Sequence, residues 1–298
     1  MLSFFTICNL VMPELPEIEI VKRSLFKMIN KAKITDIIIN NKKLRYTIPK
    51  KFREKLINEK ILKISRRSKY LIFHFKKKLL LVHLGMTGKL LLMKKKNKGL
   101  FITSFYYDLN ILPEHNHVLF FLNNGFILIY NDVRRFGFIK FYNNINMKEI
   151  IFLKKLGIEP LSKLFNVKYF KNFIKNKKKN IKNLLMDQTF VSGIGNIYAN
   201  EVLFMYGINP MRISKSLKKN EIIKLTLSIK SILKFSISRG GSSIRDFKNT
   251  LGKTGGFQQF FKVYGRENKN CSRIWCNGKV KKIFLSNRSS FFCSICQK

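Results

Sequence analysis

Between residues 34 and 142 the apolar positions fall in short runs broken by turn residues: ITDIIIN, KYLIFHF, LLLVHLGM, HVLFFLNNGFILIYN and FGFIKFY. Runs of this length, alternating or continuous, predict antiparallel strands. Asn-Asn-Gly at 123–125, between two apolar runs, predicts a tight hairpin. A helix is expected to precede the strands, from about Glu14 to Ile29, because Leu15, Ile18 and Val21 follow helical spacing behind Met-Pro-Glu. NNINMKE (143–149) reads as a linker. From about residue 151 to 235 the period becomes helical, in IKNLLMDQ, IYANEVLFMYG and EIIKLTLSIKSILKFSI. The next stretch, RGGSSIRDFKNTLGKTGGFQQFFKVYGR (239–266), has neither period over much of its length, and a loop that long inside a domain is functional or disordered. The pattern therefore predicts an α+β, multidomain chain: an N-terminal antiparallel β-sandwich with flanking helices, a helical C-terminal domain and a small cysteine-bearing module. No internal repeat is visible.

Charge changes this picture. The 298 residues carry 59 basic and 16 acidic side chains, a net charge of +43, which draws a protein to polyanions and to nucleic acid first. The same chain is crowded with Lys, Asn, Ile and Phe, the residues of A/T-rich codons, so charge alone leaves compositional bias open as well. No apolar run approaches the ~18 residues needed to span a bilayer. The first eleven residues, MLSFFTICNLV, lack a basic start and an A-x-A-like cleavage site and make a poor signal peptide. A cytoplasmic protein is expected.

Four of the five cysteines lie in the last 28 residues, as Cys271-x4-Cys276-x16-Cys293-x2-Cys296. Two pairs flanking a short hairpin suggest a metal site rather than a disulfide scaffold, with four thiolates closing one tetrahedral Zn2+ site. Such a closed site is structural. Its use would be to hold the hairpin tip, SNRS, and with it Arg288, in a fixed place.

Three further motifs are weak when taken singly. VSGIGNIYANEVLFMYGINP (191–210) has a glycine-bearing turn and then Asn196, a favoured N-cap, opening a helix whose N–H groups could bind phosphate. An ordinary capped helix has the same pattern. DVRRFG (132–137) sets two arginines and a phenylalanine in a turn, where arginine could meet a phosphate or base edge while the ring wedges into a stack. Surface Arg–Phe pairs are also common. RRSKYL (66–71), with Lys63 upstream, gathers basic groups before a strand, which fits phosphate contact or a solvated face.

In combination they are specific. MPELPE, RRSKYL, HLGMTG, RRFG, LMDQ…GIGNIYANE, GGSS…DF, VYGR and the terminal cysteines, in this order, resemble the bacterial formamidopyrimidine-DNA glycosylases of the helix–two-turn–helix superfamily. The resemblance covers almost all of Met12 to Lys298. It implies a catalytic β-sandwich domain over 12–143, a linker at 144–150, a helical DNA-binding domain over 151–262 and a zinc finger over 263–298. A lesion-capping loop would span 239–262, and residues 1–11 would be a mis-assigned extension. It also implies a bifunctional glycosylase and abasic-site lyase of base-excision repair. Such an enzyme is monomeric, nucleoid-associated, acts on damaged double-stranded DNA and has no membrane partner. PELPE with the zinc module points to the oxidised-purine branch. The oxidised-pyrimidine enzymes, which typically begin PEGPE, are the runner-up, and a non-catalytic DNA-binding relative is the third reading.

The resemblance assigns roles residue by residue. With the initiator Met removed, the Pro13 amine would attack C1′ of the damaged nucleotide. An α-amino group has a pKa of about 7.7–8.0 against about 10.4 for Lys, so far more of it is neutral near pH 7. Glu14 would protonate the sugar ring oxygen, Lys69 would serve β-elimination and phosphate contact, and Arg288 δ-elimination. Met86, Arg134 and Phe136 would fill the space left by the flipped base, with Arg134 facing the orphaned cytosine. DNA contacts fall on His115, Arg134, Lys177 and Asn196, with His83 near the backbone. Met followed by Pro favours removal of an initiator Met, so translation from Met12 would create the amine directly.

Three departures from the family pattern stand out. The first cysteine pair has four intervening residues instead of two, which predicts a bulged knuckle beside Trp275. Val133 replaces a usual proline, which predicts a looser arginine turn. GKTGGF replaces PGY in the capping loop, which predicts a more mobile cap and weaker discrimination among lesions.

Overall fold

The computed structural model describes residues 12–94, 100–101, 112–143, 146–242 and 256–298. Its helices are α1 (Leu15–Ile29), α2 (Phe52–Leu56), α3 (Ile151–Lys154), α4 (Val167–Ile174), α5 (Ile181–Leu185), α6 (Asn196–Met205) and α7 (Lys219–Ser238). Its strands are β1 (Ile34–Ile39), β2 (Lys63–Arg67), β3 (Tyr70–His74), β4 (Lys78–His83), β5 (Lys89–Lys94), β6 (Leu100–Phe101), β7 (Asn116–Leu122), β8 (Phe126–Asn131), β9 (Phe138–Asn143), β10 (Val280–Leu285) and β11 (Arg288–Cys293).

The N-terminal strands form two antiparallel sheets, ordered β1-β7-β8-β5-β6 and β2-β3-β4-β9. Both contribute to one core, to which α1 adds Ile18, Val21, Leu25 and Ile29. Leu71 and Phe73 on β3, and Leu80 and Val82 on β4, face that core. Ile72 and Leu81 between them point the other way, against Ile150 and Leu153 at α3. A sheet buried on both faces needs apolar residues at every position. That is why KYLIFHF and LLLV read as continuous runs. The Asn-Asn-Gly hairpin joins β7 to β8 as expected, with Gly125 at φ +82° and its N–H on the Leu122 carbonyl at 3.1 Å. Of the expected linker, Met147–Glu149 forms a short 3-10 turn and Ile150 is buried.

A second core binds α4 to α7, and a third joins Phe204 at the end of α6 to the cysteine module through Val263, Val280 and Phe291. Glu201, buried on α6, accepts the backbone N–H groups of Lys262, Val263 and Tyr264. Ser242 is pinned at the other root of the loop by N–H and hydroxyl bonds to Glu17 Oε1 at 2.7 and 2.8 Å. Of the expected cap, 239–262, residues 243–255 lie outside the described residues, as do residues 1–11.

The basic group in RRSKYL is neither a solvated face nor a row of phosphate contacts. Arg66 pairs with Glu19 of α1 and with Glu159. Arg67 donates to Glu159, to Ser192 Oγ and to the carbonyls of Leu156 and Gly157. Both arginines therefore lock the sandwich to the helical domain, and Lys69 alone is left to face the cleft. Among the described residues no helix is long and apolar enough to cross a membrane.

Candidate active site and metal centre

The site begins at the first turn of α1. Proline in that turn lacks only an N–H that the helix leaves unused. The Glu14 N–H donates to Glu17 Oε2 at 2.9 Å and the Leu15 N–H to the Gly193 carbonyl at 3.0 Å. The Glu14 carboxylate does not cap its own helix. It crosses to the start of α6, where it accepts the N–H groups of Gly195 and Ile197, the latter at 2.8 Å.

One expectation for this helix start, Asn196 as its N-cap, is corrected. Its anion is the protein's own carboxylate, held by free N–H groups and the positive end of the helix dipole. The cap position is Gly195, and Asn196 is the first helical residue. The Asn196 side-chain amide donates to the Ser289 carbonyl at 3.0 Å. The two glycines in GIG each meet a steric demand. A Cβ on Gly195 would lie 2.4 Å from Glu14 Cδ, and one on Gly193, at φ +96°, would lie 2.8 Å from Leu15 Cβ.

Glu14, Lys69 and Arg288 line one cavity of about 730 Å3, together with Met12, His83 and Met86. Lys69 gets there through the two-residue turn joining β2 to β3, in which Ser68 takes φ +55° and its N–H is held by Glu159. Arg288 gets there on the β10–β11 hairpin, whose tip residues Ser286 and Asn287 both have positive φ, the conformation of a type I′ turn. Pro13 is buried next to Glu14, with its nitrogen in an amide bond to Met12. The catalytic residues expected from sequence thus converge from three distant segments.

Burial raises the Glu14 carboxyl to a pKa of about 7, with Lys69 and the two backbone N–H groups pulling it down and Glu17 pushing it up. Lys69 moves the other way: desolvation lowers its pKa, the acids Glu14 and Glu17 oppose that, and Arg288 lowers it further. A carboxyl and an amine drawn toward neutrality in one cleft suit proton transfer near pH 7. The raised carboxyl also sets a stability trend. Folding favours protonated Glu14, so its contribution is complete below pH 4.5 and is lost as pH climbs to about 7. Relative to Glu14→Gln, which cannot ionise, the wild-type chain is expected to lose about 3 kcal/mol over that window. Tm measured against pH for both proteins checks this; parallel curves would contradict it.

Three residues were missed by sequence reading. Lys182 is fully buried and donates to Ser289 O at 2.8 Å and Ser290 Oγ at 2.6 Å. Burial, with Arg288 adding to it, brings its pKa from 10.5 down to about 7. Nothing in a lysine-rich chain marks one lysine as buried. Glu17 gathers the Glu14 N–H, the Tyr198 hydroxyl and Ser242, and its spacing three residues after Glu14 was a usable signal. Glu201, which holds the loop root, carried no such sign.

The residues expected to intercalate also come together. Arg134 reaches Met86 Sδ at 3.5 Å and lies over the exposed Phe136 ring at 4.4 Å. Their turn does not depend on a proline at position 133. Buried Asp132 ties it by accepting from Thr87 Oγ1, Tyr130 OH and the Gly137 N–H, and Thr87 Oγ1 accepts the Arg134 N–H at 3.0 Å. His115 ends a short 3-10 turn, and its carbonyl accepts the Asp132 N–H at the base of the same knot. His83 is held neutral, its pKa lowered to about 4 by burial and by the charges of Lys69 and Arg45. Its Nδ1 accepts the Gly85 N–H, which leaves Nε2 as the one donor it can offer a phosphate. Lys177 is exposed over the Phe173 ring, outside the cavity wall; Lys179, two residues on, lines it.

The four C-terminal cysteines place their Sγ atoms within 4.8 Å of one another, with 3.7 Å between Cys271 and Cys296 and 3.6 Å between Cys276 and Cys293. Four sulfurs at the ~2.3 Å Zn–S distance of a tetrahedral site stand about 3.8 Å apart, so the set fits one structural zinc. The long first knuckle bulges as expected, turning Ile274 and Trp275 out to solvent. Arg273 braces it from within, donating to the Phe204 and Met205 carbonyls at the end of α6.

Comparison with known proteins agrees with this fold. Residues 12–139 match the family model described as the formamidopyrimidine-DNA glycosylase N-terminal domain, and residues 156–248 match the formamidopyrimidine-DNA glycosylase H2TH domain. The chain is 39% identical to the formamidopyrimidine-DNA glycosylase of Hydrogenovibrio crunogenus, over 96% of this chain and 97% of that one. It is 40% identical to that of Bartonella tribocorum, over 96% and 100%. A Lactococcus lactis FPG variant complexed with Fapy-dG-containing DNA superposes with a TM-score of 0.83 at 34% identity, covering 96% of this chain and 100% of that one. The wild-type L. lactis protein, with DNA containing an oxidised pyrimidine, gives 0.82 at 34% identity and 96% coverage of this chain.

Proposed function

The chain belongs to the formamidopyrimidine-DNA glycosylase family, and from that premise we propose that it excises oxidised purines from double-stranded DNA through a Schiff base on Pro13. It then cleaves the abasic strand by β,δ-elimination. The observation that carries this reading is the meeting of Glu14, Lys69 and Arg288 in one cavity beside Pro13.

In this mechanism the free Pro13 amine attacks C1′ of the flipped nucleotide, and the base leaves with the electrons of the glycosidic bond. Glu14, protonated near pH 7, gives its proton to the ring oxygen as the sugar opens to an iminium. A secondary amine makes that iminium cationic without further protonation, so it withdraws electrons and acidifies the C2′ proton. Removal of that proton expels the 3′-phosphate. Lys69, weakened as an acid-bound cation by burial, faces this step, and Arg288 on its hairpin stabilises the departing 5′-phosphate of the second elimination. The base is reached by flipping, with Met86, Arg134 and Phe136 as the wedge that closes the stack behind it. Cys271, Cys276, Cys293 and Cys296 would hold a zinc ion, which would add rigidity to the module that carries Arg288.

The mechanism requires a chain that starts at Pro13, as translation from Met12 followed by removal of that Met supplies. The family match beginning at residue 12 supports this reading. A cytoplasmic, nucleoid-bound monomer is the form in which such an enzyme acts. Cleavage of duplexes containing 8-oxoguanine, a formamidopyrimidine or thymine glycol, each opposite cytosine or its normal partner, tests the substrate class. The purine lesions are expected to be processed faster. Preference for thymine glycol would move the chain to the pyrimidine branch, whose lesion also occurs in DNA bound to the L. lactis relative.

A further inference from the structure

Helix α6 touches both halves of the chemistry. Its first N–H groups hold Glu14, and its side chains hold the hairpin that carries Arg288. Asn200, one turn into α6 and 1% exposed, accepts the Phe291 N–H of β11 at 2.8 Å. Its amide donates back to the Asn196 carbonyl at 2.6 Å, and Asn196 in turn donates to Ser289 O at 3.0 Å. At the tip of the hairpin, Asn183 on α5 donates to Ser286 Oγ at 2.6 Å. These bonds grip β11 and the tip of the hairpin from the helical domain. None of them involves the cysteine sulfurs at its other end.

We propose that Asn200 and Asn183 are positioning residues that set Arg288 over the elimination site, independently of the metal. The physical grounds are the burial and saturation of Asn200. Its side chain accepts a β11 N–H three residues from Arg288, and its own amide is fixed by α6, the element that also fixes Glu14. Arg288 and Cys293 are the two ends of a six-residue strand, so a zinc ion on the cysteines would govern only the far end of a lever. The long knuckle of this chain makes local anchorage of the near end the more important.

The proposal rests on the role given to Arg288 in the second elimination, and its test separates the two. In the chain beginning at Pro13, Asn200→Ala and Ser286→Ala are each expected to lower the ratio of δ- to β-elimination product about fivefold, with base excision within about twofold of wild type. Asn200→Asp, which keeps the acceptor for Phe291, is expected to restore most of the ratio. Ser286 is exposed, so its substitution reads the tip contact without a folding risk. Equal loss of all steps, or no change in the ratio, overturns the proposal. Arg288→Gln in parallel is expected to lower the same ratio, and a ratio unmoved there would refute the role of Arg288 itself. Hydrogen exchange of the amides at 285–291 should quicken in Asn200→Ala at unchanged zinc content. Unchanged protection would refute the anchorage whatever Arg288 does.

Discussion

Borohydride added to the chain beginning at Pro13, together with a duplex containing 8-oxoguanine opposite cytosine, is expected to leave a covalent protein–DNA adduct. The same chain with Met12 retained should leave none. In the longer chain the Pro13 nitrogen is an amide, whose lone pair is delocalised into the carbonyl and cannot attack C1′. Met12 also lines the cavity proposed to receive the flipped nucleotide, so the extra residue would remove the nucleophile and obstruct its substrate at once. The difference should be all or none in adduct on a gel, while both chains still shift an intact duplex through their shared basic surface. Adduct of equal yield from the Met12-bearing chain would place the Schiff base on another amine, and Lys69 would become the first candidate.

Gly195→Ala is expected to be as damaging as removing the acid itself. Its Cβ would lie 2.4 Å from Glu14 Cδ and 2.5 Å from Oε1, inside any permitted contact. The carboxylate would have to leave the two N–H groups that orient it. A general acid contributes about 10²- to 10⁴-fold, and a misplacement of ~1 Å forfeits a large part of that. Single-turnover excision by Gly195→Ala should therefore fall by about 10²-fold or more, close to Glu14→Gln, with the pairing of the two substitutions little worse than either alone. Duplex affinity should change little, because the phosphate-facing cations are untouched. Full activity in Gly195→Ala would mean that Glu14 works from some other position.

The metal module and the β-sandwich were legible early for different reasons. Cysteine spacing is a one-dimensional record of a local knuckle, and the extra two residues in the first pair could be read as a bulge before any coordinates. Strand runs and the Asn-Asn-Gly turn are likewise local, since the side-chain period of a strand and the positive φ of Gly125 need only near neighbours. The support of the arginine turn, by contrast, is not local. Val133 gives up a fixed φ, but Asp132 recovers the geometry through Thr87 and Tyr130, contacts that no neighbour in sequence reveals.

By itself, then, the sequence determined the main strand and helix runs, the order of the motifs, the four-cysteine set and the chemical identity of Pro13, Glu14, Lys69 and Arg288, because each of these is written in short stretches. Only the tertiary structure decided which groups meet. Arg66 and Arg67 became an interdomain lock instead of a DNA face, the start of α6 received a carboxylate from 181 residues away, and one lysine among many, Lys182, was buried and drawn toward neutrality. Burial and long-range pairing depend on how separate cores pack against one another. No local pattern carries that information, and it is this packing that turns an ordinary proline-led helix start at MPELPEIEI into an active-site wall.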